Sequence, residues 1–295
     1  MNEFKNYHPL VNFIYFAAVI LFSMFLMNPI MLVISLVCAA VYAVVLNGAR
    51  AVRFGLLYLL PMMFIASAMN LLFNHAGVTI LAYFPNGNPL TLESVVYGIA
   101  AAVMIAAVIC YFSAYNKIMT SDKFIYLFGR IIPSMSLVLS MSMRFVPRFK
   151  EQFVKITAAQ KCIGRGITNG SVIQRVKNGI TILSVMITYA LENSIETADC
   201  MKSRGYGHKN RTSFSLYRFS GRDKAALVYT LILSVYVIAG TAFGAAEYLY
   251  FPNVILSEFN AYSVSVFTAY FMLCAEPIFI EIMEAMRWKR LKSRL

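Results

Sequence analysis

Charged residues are scarce in this chain of 295 residues, where Asp, Glu, Lys and Arg make up 13% of the sequence. Soluble domains average roughly 25%. Apolar residues reach 60%, and the formal net charge is +13. A soluble domain could not keep so little charge and so much apolar surface in water. The composition therefore excludes an ordinary soluble enzyme and predicts an integral membrane protein.

Residues that carry metal, redox or nucleotide chemistry are also few. The three histidines, His8, His75 and His208, are scattered, and the five cysteines form no Cys-x-x-Cys pair. The sequence has no G-x-x-x-x-G-K-[ST] loop, the pattern whose backbone amides hold ATP phosphates. We therefore expect this chain to have no cofactor, no metal site and no catalytic residue. Nor does the sequence indicate a nucleic-acid partner.

Long runs without Asp, Glu, Lys or Arg indicate where the chain crosses the membrane: residues 6–49, 54–92, 94–116, 225–246 and 259–275. A span needs about 20 apolar residues, so the first run is long enough for two helices, divided at Asn28 and Pro29. The pattern predicts six transmembrane helices, near residues 11–27, 30–46, 54–74, 94–116, 225–246 and 262–284. Because six is an even number, both termini are expected on the same side.

The lysines and arginines indicate which side that is, because short loops rich in them stay in the cytoplasm. In this topology the three outward loops, near residue 28 and at 75–93 and 247–261, contain none of the 26 Lys and Arg residues. We therefore expect a multi-pass protein of the plasma membrane with both termini in the cytoplasm. The lipid bilayer is its first partner.

A long basic segment separates the two groups of spans. Residues 117–224 contain 18 Lys and Arg against 6 Asp and Glu, and the segment is too long for a loop. Two apolar stretches within it, 131–143 and 179–191, would each be about 20 Å long as helix, short of the roughly 30 Å hydrocarbon core. We expect them to lie along the cytoplasmic face of the membrane. The expected divisions are 1–116 with helices 1–4, the cytoplasmic region 117–224, and 225–295 with helices 5–6 and a basic tail.

Two amphipathic helices are predicted within the cytoplasmic region. The first is expected to begin near Pro147, because proline is favoured at the first helical position. Its stripe at helical spacing is Phe149, Phe153, Ile156, Gln160 and Ile163. The second has an apolar stripe and an acidic one, formed by Leu191, Ile195, Ala198 and Met201 and by Glu192, Glu196 and Asp199. We expect both helices to stop at an Arg-Gly pair.

The two expected helix ends share a pattern. Residues 159–165 and 198–204 align without a gap as Ala-x-x-x-x-small-Arg, each followed by glycine. One interpretation is purely structural, because glycine supplies a left-handed cap and an arginine in the last turn complements the helix dipole. Two copies on one side of a membrane favour another, in which small neighbours leave each guanidinium clear to pair with a partner's carboxylate. The candidate binding residues are Gly164, Arg165, Gly166, Ser203, Arg204 and Gly205.

The stretches MRFVPRFKEQFVKITAAQKCIGRG (143–166) and ETADCMKSRGYG (196–207) resemble the signature of the transmembrane, or T, subunits of energy-coupling-factor (ECF) transporters. This family includes the permease subunits of cobalt, nickel, biotin and shared vitamin systems. The resemblance implies an all-α integral membrane protein, with about six transmembrane helices plus long amphipathic cytoplasmic coupling helices. It is close in the cytoplasmic region and covers the spans by hydropathy. An Asp-Pro-Arg-x-Lys-like element common near the N-terminus of relatives is missing, so no role is transferred to His8 or Asn12.

In that family the two small-Arg-small ends dock in grooves on a pair of cytoplasmic ABC ATPases. The resemblance implies that Arg165, flanked by two glycines, makes one ATPase contact and that Arg204, flanked by Ser203 and Gly205, makes the other. The residue before each arginine is Gly or Ser here, where many relatives have Ala. The chain would pass ATP-driven motion to a separate, small membrane-embedded substrate-binding (S) subunit for vitamin or metal-ion uptake. It would itself bind neither ATP nor the solute.

Two other classes of protein stay open on the residues alone. A permease half of an ordinary ABC importer would homodimerise around a substrate path. A secondary carrier or membrane enzyme would need a buried polar constellation, for which Asn70 and Asn74 in the third span are a start, although interhelical hydrogen bonding also accounts for them. In the last span, Glu281 and Glu284 lie near the cytoplasmic end, where pairing with Arg287 or a nearby lysine would explain them.

The apolar stretches 131–143 and 179–191 are predicted not to cross the membrane, because of their length and flanking positive charge. Single cysteines introduced as Lys155→Cys and Arg175→Cys, in a chain without its native cysteines, should react with an impermeant thiol reagent only from the cytoplasmic side. The measurement compares inside-out vesicles with intact cells. Labelling of either position from outside intact cells would overturn the topology.

Overall fold

The computed structural model describes residues 3–83, 88–129, 132–166, 168, 171–206, 217–252, 255–256 and 260–292. In these ranges the chain is mostly helical. Its helices are α1 (Pro9–Phe25), α2 (Pro29–Asn47), α3 (Ala49–Phe54), α4 (Leu60–Phe73), α5 (Leu92–Ile118), α6 (Ser121–Gly129), α7 (Pro133–Cys162), α8 (Val172–Ser203), α9 (Gly221–Ala242) and α10 (Ala261–Lys292). A 3₁₀ turn, Glu3–Asn6, precedes α1, and a π-helical turn, Gly55–Leu59, joins α3 to α4.

Two short antiparallel hairpins lie between helices. One pairs β1 (Ile80–Tyr83) with β2 (Pro89–Thr91), and the other pairs β3 (Tyr248–Leu249) with β4 (Ile255–Leu256). They belong to the two segments that the sequence predicts as outward loops without Lys or Arg. The first hairpin is closed by Glu93, whose carboxylate accepts hydrogen bonds from the backbone N–H and the hydroxyl of Thr79, at 3.2 and 2.8 Å.

The chain forms two compact units. The first comprises residues 1–123 and 217–295, and so contains α1 to α5, α9 and α10. The second comprises residues 124–216, with α7 and α8. The boundary falls within α6. The chain therefore leaves the first unit once, after Lys123, and returns to it once, at Tyr217.

The first unit carries the helices that are long and apolar enough to cross a membrane. By length and hydropathy these are α2, the continuous segment Ala49–Phe73, α5, α9 and α10, and α1 is a shorter apolar helix of 17 residues. Each of the six predicted spans thus corresponds to a helix, and the all-α membrane fold is confirmed. The largest difference from the predicted bounds is at the last span, predicted at 262–284. Helix α10 continues beyond it through the basic residues to Lys292.

Helix starts in the first unit follow local chemistry. Pro9 and Pro29 occupy the first helical positions of α1 and α2, where the N–H that proline lacks would have no partner. The preceding residues cap the helices: His8 Nδ1 accepts from the N–H of Leu10 at 3.2 Å, and Asn28 Oδ1 does the same for α2. The predicted division at residues 28 and 29 is confirmed.

The core of the first unit is built around α5 and α10. Helix α5 packs against α1, α2 and α4, and α10 packs against α2 and α9. Buried tyrosines tie distant helices together, because the Tyr15 hydroxyl donates to the Cys274 carbonyl at 3.0 Å. Gly240 allows α9 to approach α10, since a Cβ there would lie 2.4 Å from a methyl group of Val266. Such small residues and polar contacts hold membrane helices together where lipid removes the hydrophobic drive.

In the second unit α7 and α8 form a hairpin. The rings of Phe149 and Tyr189 meet edge to face with centroids 6.4 Å apart, while Asn178 near the start of α8 bonds to Gly166 just after α7. The pairing of late with early residues shows that the two helices run antiparallel. Ile182 is the most buried apolar side chain of α8.

The prediction that a helix begins near Pro147 is wrong. Helix α7 runs without a break from Pro133 to Cys162, with Pro147 inside it. A proline inside a helix loses one backbone hydrogen bond, but it does not by itself end a helix that continues on both sides. Of the apolar stretch 131–143, residues 133–143 therefore form the first turns of α7, while 131 lies outside the described residues, and 179–191 is the middle of α8. Neither is a separate segment.

Candidate functional site

The end of α7 is closed by Gly164, which has a φ of 79°. The N–H of Gly164 donates to the carbonyl of Lys161 at 3.0 Å, and the N–H of Arg165 donates to the carbonyl of Gln160 at 2.9 Å. These two bonds form a Schellman cap, in which a residue of positive φ follows the helix. Arg165 is therefore the first residue beyond the capping glycine.

The end of α8 has the same kind of cap in a different register. Gly205 has a φ of 72°, and its N–H donates to the carbonyl of Lys202 at 3.0 Å. The N–H of Tyr206 donates to the carbonyl of Met201, also at 3.0 Å. This is again a Schellman cap. Arg204 lies one residue before the capping glycine.

The expectation that both helices stop at Arg-Gly is confirmed for α8 and wrong for α7, which stops at Cys162. Glycine flanks Arg165 on both sides, and the first of these glycines takes the left-handed conformation at no steric cost. The position before Arg204 is Ser203, which stays helical with its hydroxyl donating to the carbonyl of Asp199 at 2.8 Å. The gap-free alignment of the two ends thus holds in sequence but not in backbone conformation.

Gly166 has a structural partner that the sequence did not reveal. Its carbonyl accepts a hydrogen bond of 3.0 Å from Nδ2 of Asn178, and both residues are buried. The bond fastens the chain after α7 to the second turn of α8. The only signal in the sequence is an asparagine within an otherwise apolar and basic stretch. Gly166 is therefore held by its backbone, whereas Gly164 is exposed.

Both arginines point into solvent. Arg165 and Arg204 are exposed, and neither guanidinium forms a hydrogen bond or ion pair with another residue in the described part of the chain. Exposed lysines, Lys161 and Lys202, stand in the last turn of each helix. At the end of α8 the exposed Asp199 offsets part of this positive charge, so the exposed arginine is the feature that the two ends share.

The two predicted stripes differ in burial. Phe149, Ile156 and Gln160 of the α7 stripe are half-buried, whereas Ile163, just beyond the end of α7, and the apolar residues Leu191 and Ile195 of α8 reach the surface. Ile163, Leu191 and Ile195 are 69%, 61% and 64% exposed. The acidic stripe of α8, Glu192, Glu196 and Asp199, is exposed as well. Apolar side chains in a row along a helix that the unit itself leaves uncovered are typical of a surface that binds a partner or a membrane.

Glu284 and Asn74, also considered in the sequence, have local partners, whereas Oδ1 of Asn70 and Oε1 of Glu281 have no hydrogen-bond partner in the described part of the chain. Glu284 lies 3.6 Å from Arg287, as expected, and also 3.5 Å from Arg222 on α9. The side chain of Asn74 accepts a hydrogen bond from the N–H of Ala76 in the turn after α4, while its backbone carbonyl accepts from the hydroxyl of Ser94 on α5. Within the described ranges there is no group of three or more His, Cys, Asp or Glu residues that could hold a metal ion.

These features define a class: an all-helical membrane protein whose second unit presents two capped, positively charged helix ends. Comparison with known families agrees, because the pattern of the CbiQ family, described as "Cobalt transport protein", matches residues 4–214. The chain belongs to this family.

Curated relatives are named "Energy-coupling factor transporter transmembrane protein EcfT". The chain is 33% identical over 103 residues to the protein of Lactobacillus helveticus, an alignment that covers 35% of this chain and 37% of the relative. For the protein of Brevibacillus brevis the identity is 33% over 110 residues, covering 37% and 42%, and for that of Bacillus subtilis it is 32% over 104 residues, covering 35% and 39%. The chain spans about two fifths of the length of the curated relatives it matches.

Replacing a capping glycine with alanine should lower stability more than replacing a glycine inside a helix. Gly164→Ala and Gly205→Ala should each lower the stability of the second unit by about 1 to 2 kcal/mol, because a side chain is disfavoured at positive φ. Gly179→Ala is the matched control, since a Cβ there meets nothing within 4 Å and its φ is not positive. It should be neutral or stabilise α8 by up to about 1 kcal/mol.

The measurement is hydrogen exchange of the peptides that contain residues 160–166 and 201–206, together with thermal unfolding in detergent. Faster exchange should be confined to the peptide whose glycine was changed. Equal effects of all three substitutions would show that the caps do not hold these ends.

Proposed function

We propose that this chain is the energy-coupling transmembrane subunit of an ECF-type importer. The observation that carries the proposal is the pair of exposed arginines, each held at the capped end of one of two packed helices. Membership of the CbiQ family and the likeness to EcfT proteins support it. In this function the chain is a non-catalytic subunit without a cofactor, and ATP hydrolysis belongs to other chains.

The two arginines are the proposed contacts to two cytoplasmic ABC ATPases. A guanidinium that is always charged and has five donors in a planar fork can pair with a carboxylate through two hydrogen bonds. Gly164 and Gly166 around Arg165, and Ser203 and Gly205 around Arg204, add no bulk that would keep the side chain out of a groove. The Schellman caps fix the backbone at each end, so docking costs the rotamer freedom of the arginine side chain but little backbone entropy.

The exposed apolar side chains of α7 and α8 are the proposed surface for the rest of the complex. A small, very apolar membrane subunit that binds the transported solute would cover them, together with the bilayer surface. The transported solute would be a vitamin or a metal ion, and its recognition would reside in that subunit. The chain therefore has no need of a solute site of its own.

The proposed mechanism requires one two-state element. When ATP closes the ATPase dimer, the two docked helix ends move with the ATPases, and α7 and α8 shift against the substrate-binding subunit. That shift biases the subunit between an outward and an inward orientation, which is a coupling free energy between distant sites. The rigid length of α7 and α8, at 30 and 32 residues, suits them to carry a displacement.

The proposed setting is the plasma membrane, with both termini and residues 117–224 on the cytoplasmic side. Residues 1–116 and 225–295 would supply the spans and the basic tail. This orientation places both arginines where cytoplasmic ATPases can reach them, and it follows from the distribution of Lys and Arg.

Removing the arginines should separate docking from capping. Arg165→Ala, Arg204→Ala and the double variant should reduce retention of the ATPases or uncouple hydrolysis from uptake, with the double variant most affected. Losing one partner of a desolvated charge pair costs about 2 to 5 kcal/mol, whereas an exposed arginine near a helix end is worth about 0.3 to 1 kcal/mol. The measurement is co-purification with the native partners, followed by ATPase and uptake assays.

The matched controls are Lys161→Ala and Lys202→Ala, which remove the same charge from the last turn of the same helices. They should leave ATPase retention within about twofold of wild type, as expected for exposed charges. Normal retention and transport in the double arginine variant, with the protein still folded in detergent, would leave only the capping role.

A further inference from the structure

The two places where the chain passes between its units are both bonded to the same short segment. The chain leaves the first unit after Lys123 and returns at Tyr217. Residues 3–12, the 3₁₀ turn and the start of α1, contact the residues of the first unit that flank both crossings. We call residues 3–12 the N-terminal clamp.

At the first crossing the clamp holds Lys123. This lysine is 4% exposed, and its ammonium group donates to the carbonyl of Lys5. It also lies 2.8 Å from the side-chain amide of Asn12, and when that amide is oriented so that both of its ends are satisfied, Oδ1 accepts from the ammonium group. Asn12 is fully buried, and its Nδ2 donates to the carbonyl of Phe4 at 3.1 Å. The partners of this ammonium group are therefore a backbone carbonyl and a neutral amide, both from the clamp.

A buried lysine at this position lowers the stability of the fold compared with an apolar residue. Burial lowers the pKa of Lys123 to about 8, and the charge of Lys5 acts in the same direction. A buried ammonium group loses its hydration, and neutral acceptors compensate for it less well than a carboxylate would. The long side chain of Lys123 on α6 bonds to both the 3₁₀ turn and α1, which a shorter side chain could not do.

At the second crossing the clamp holds the start of α9. Oδ1 of Asp223 accepts a 3.0 Å hydrogen bond from the N–H of His8, while its Oδ2 accepts from the N–H of Ser220 at 2.8 Å. The ring of His8 meets that of Phe219 edge to face, with centroids 5.0 Å apart. Asp223 thus has two functions at once, since one oxygen closes the capping box of α9 and the other binds the clamp.

We propose that the N-terminal clamp is a positioning element for energy coupling: it fixes both crossings to the membrane bundle so that ATPase-driven movement of the second unit is delivered to the transported solute. This inference rests on the proposed function. If the crossings were loose, rotation of a few backbone dihedrals there would absorb the movement, as hinge residues do. Substitutions that loosen the clamp should therefore reduce coupling while leaving the docking arginines intact.

Two substitutions loosen one crossing each, and each has a matched control. Lys123→Met removes the ammonium group from the clamp, and its control is Lys117→Met, which removes an ammonium group that bonds α5 to the end of α2 away from both crossings. Asp223→Ala removes the contact with His8 and the capping box, and its control is Ser220→Ala, which removes the capping hydroxyl but keeps the His8 contact.

The experiment uses the full complex, co-expressed with its native ATPases and substrate-binding subunit and placed in liposomes. ATP hydrolysis and solute uptake are measured on the same vesicles, and the ratio of solute moved to ATP hydrolysed is compared. Lys123→Met and Asp223→Ala should retain both ATPases and hydrolyse ATP, but their ratio should fall by at least about fivefold, the lower end of typical couplings between sites. Both controls should keep the wild-type ratio.

A crosslink distinguishes loss of the clamp contact from a general loss of stability. In an Asp223→Ala background with Cys162 and Cys200 replaced by Ser, His8→Cys and Phe219→Cys joined by a short bismaleimide should restore the ratio. A wild-type ratio in both clamp variants would overturn the proposal, and so would failure of the variants to assemble at all, because the clamp would then act only in folding. Failure of the wild-type chain to bind ATPases would instead refute the proposed function.

Discussion

Two glycines with positive φ determine where α7 and α8 end, and the positions of the two arginines follow from them. An arginine inside a helix would lie along the helix surface, and one on a frayed end would be disordered in water. The Schellman caps at Gly164 and Gly205 avoid both, because they satisfy the last carbonyls and turn the chain sharply within one residue. The backbone of each arginine is thus held at a defined position, while its guanidinium group is exposed.

The rest of the molecule provides what these ends require. In the second unit Asn178 ties the turn after α7 to α8, so that the two ends belong to one antiparallel hairpin. In the first unit, tyrosine hydroxyls, small residues and close helix contacts hold a bundle whose outer surface is apolar. Lys123 and Asp223 fasten the chain at the two crossings between the units. In the proposed function, this bundle and the capped hairpin are the two parts that take part in coupling.

Much of the fold was predictable because the membrane imposes a simple rule. A span of about 20 residues without charge is hard to explain otherwise, and the absence of Lys and Arg from three loops is a statistical signal carried by many residues. The caps were harder to predict from the sequence, because glycine stands on both sides of Arg165 and only the backbone shows which one takes the positive φ. The prediction from Pro147 was wrong because proline's preference for the first helical position did not end α7, which continues on both sides of it.

The residues that sequence patterns missed act through tertiary contacts. Asn178 bonds to a carbonyl 12 positions away, and Lys123 to one 118 positions away. Neither has a spacing or a neighbouring residue type that would single it out. By contrast, the family resemblance rested on two contiguous stretches, 143–166 with Arg165 and 196–207 with Arg204, which is why membership of the CbiQ family could be anticipated from the residues.

The central claim, that Arg165 and Arg204 each contact an ATPase, is tested most directly by photocrosslinking. A photoreactive amino acid is placed at Lys161 or at Lys202, beside Arg165 and Arg204, so that both arginines stay in the intact complex. After irradiation the crosslinked chains are identified by mass spectrometry. Each position should crosslink to a groove on one ATPase subunit, and the same probe at Lys155, seven residues before the Cys162 end of α7, should not. Crosslinks from both positions only to lipid or to the membrane subunit would contradict the claim.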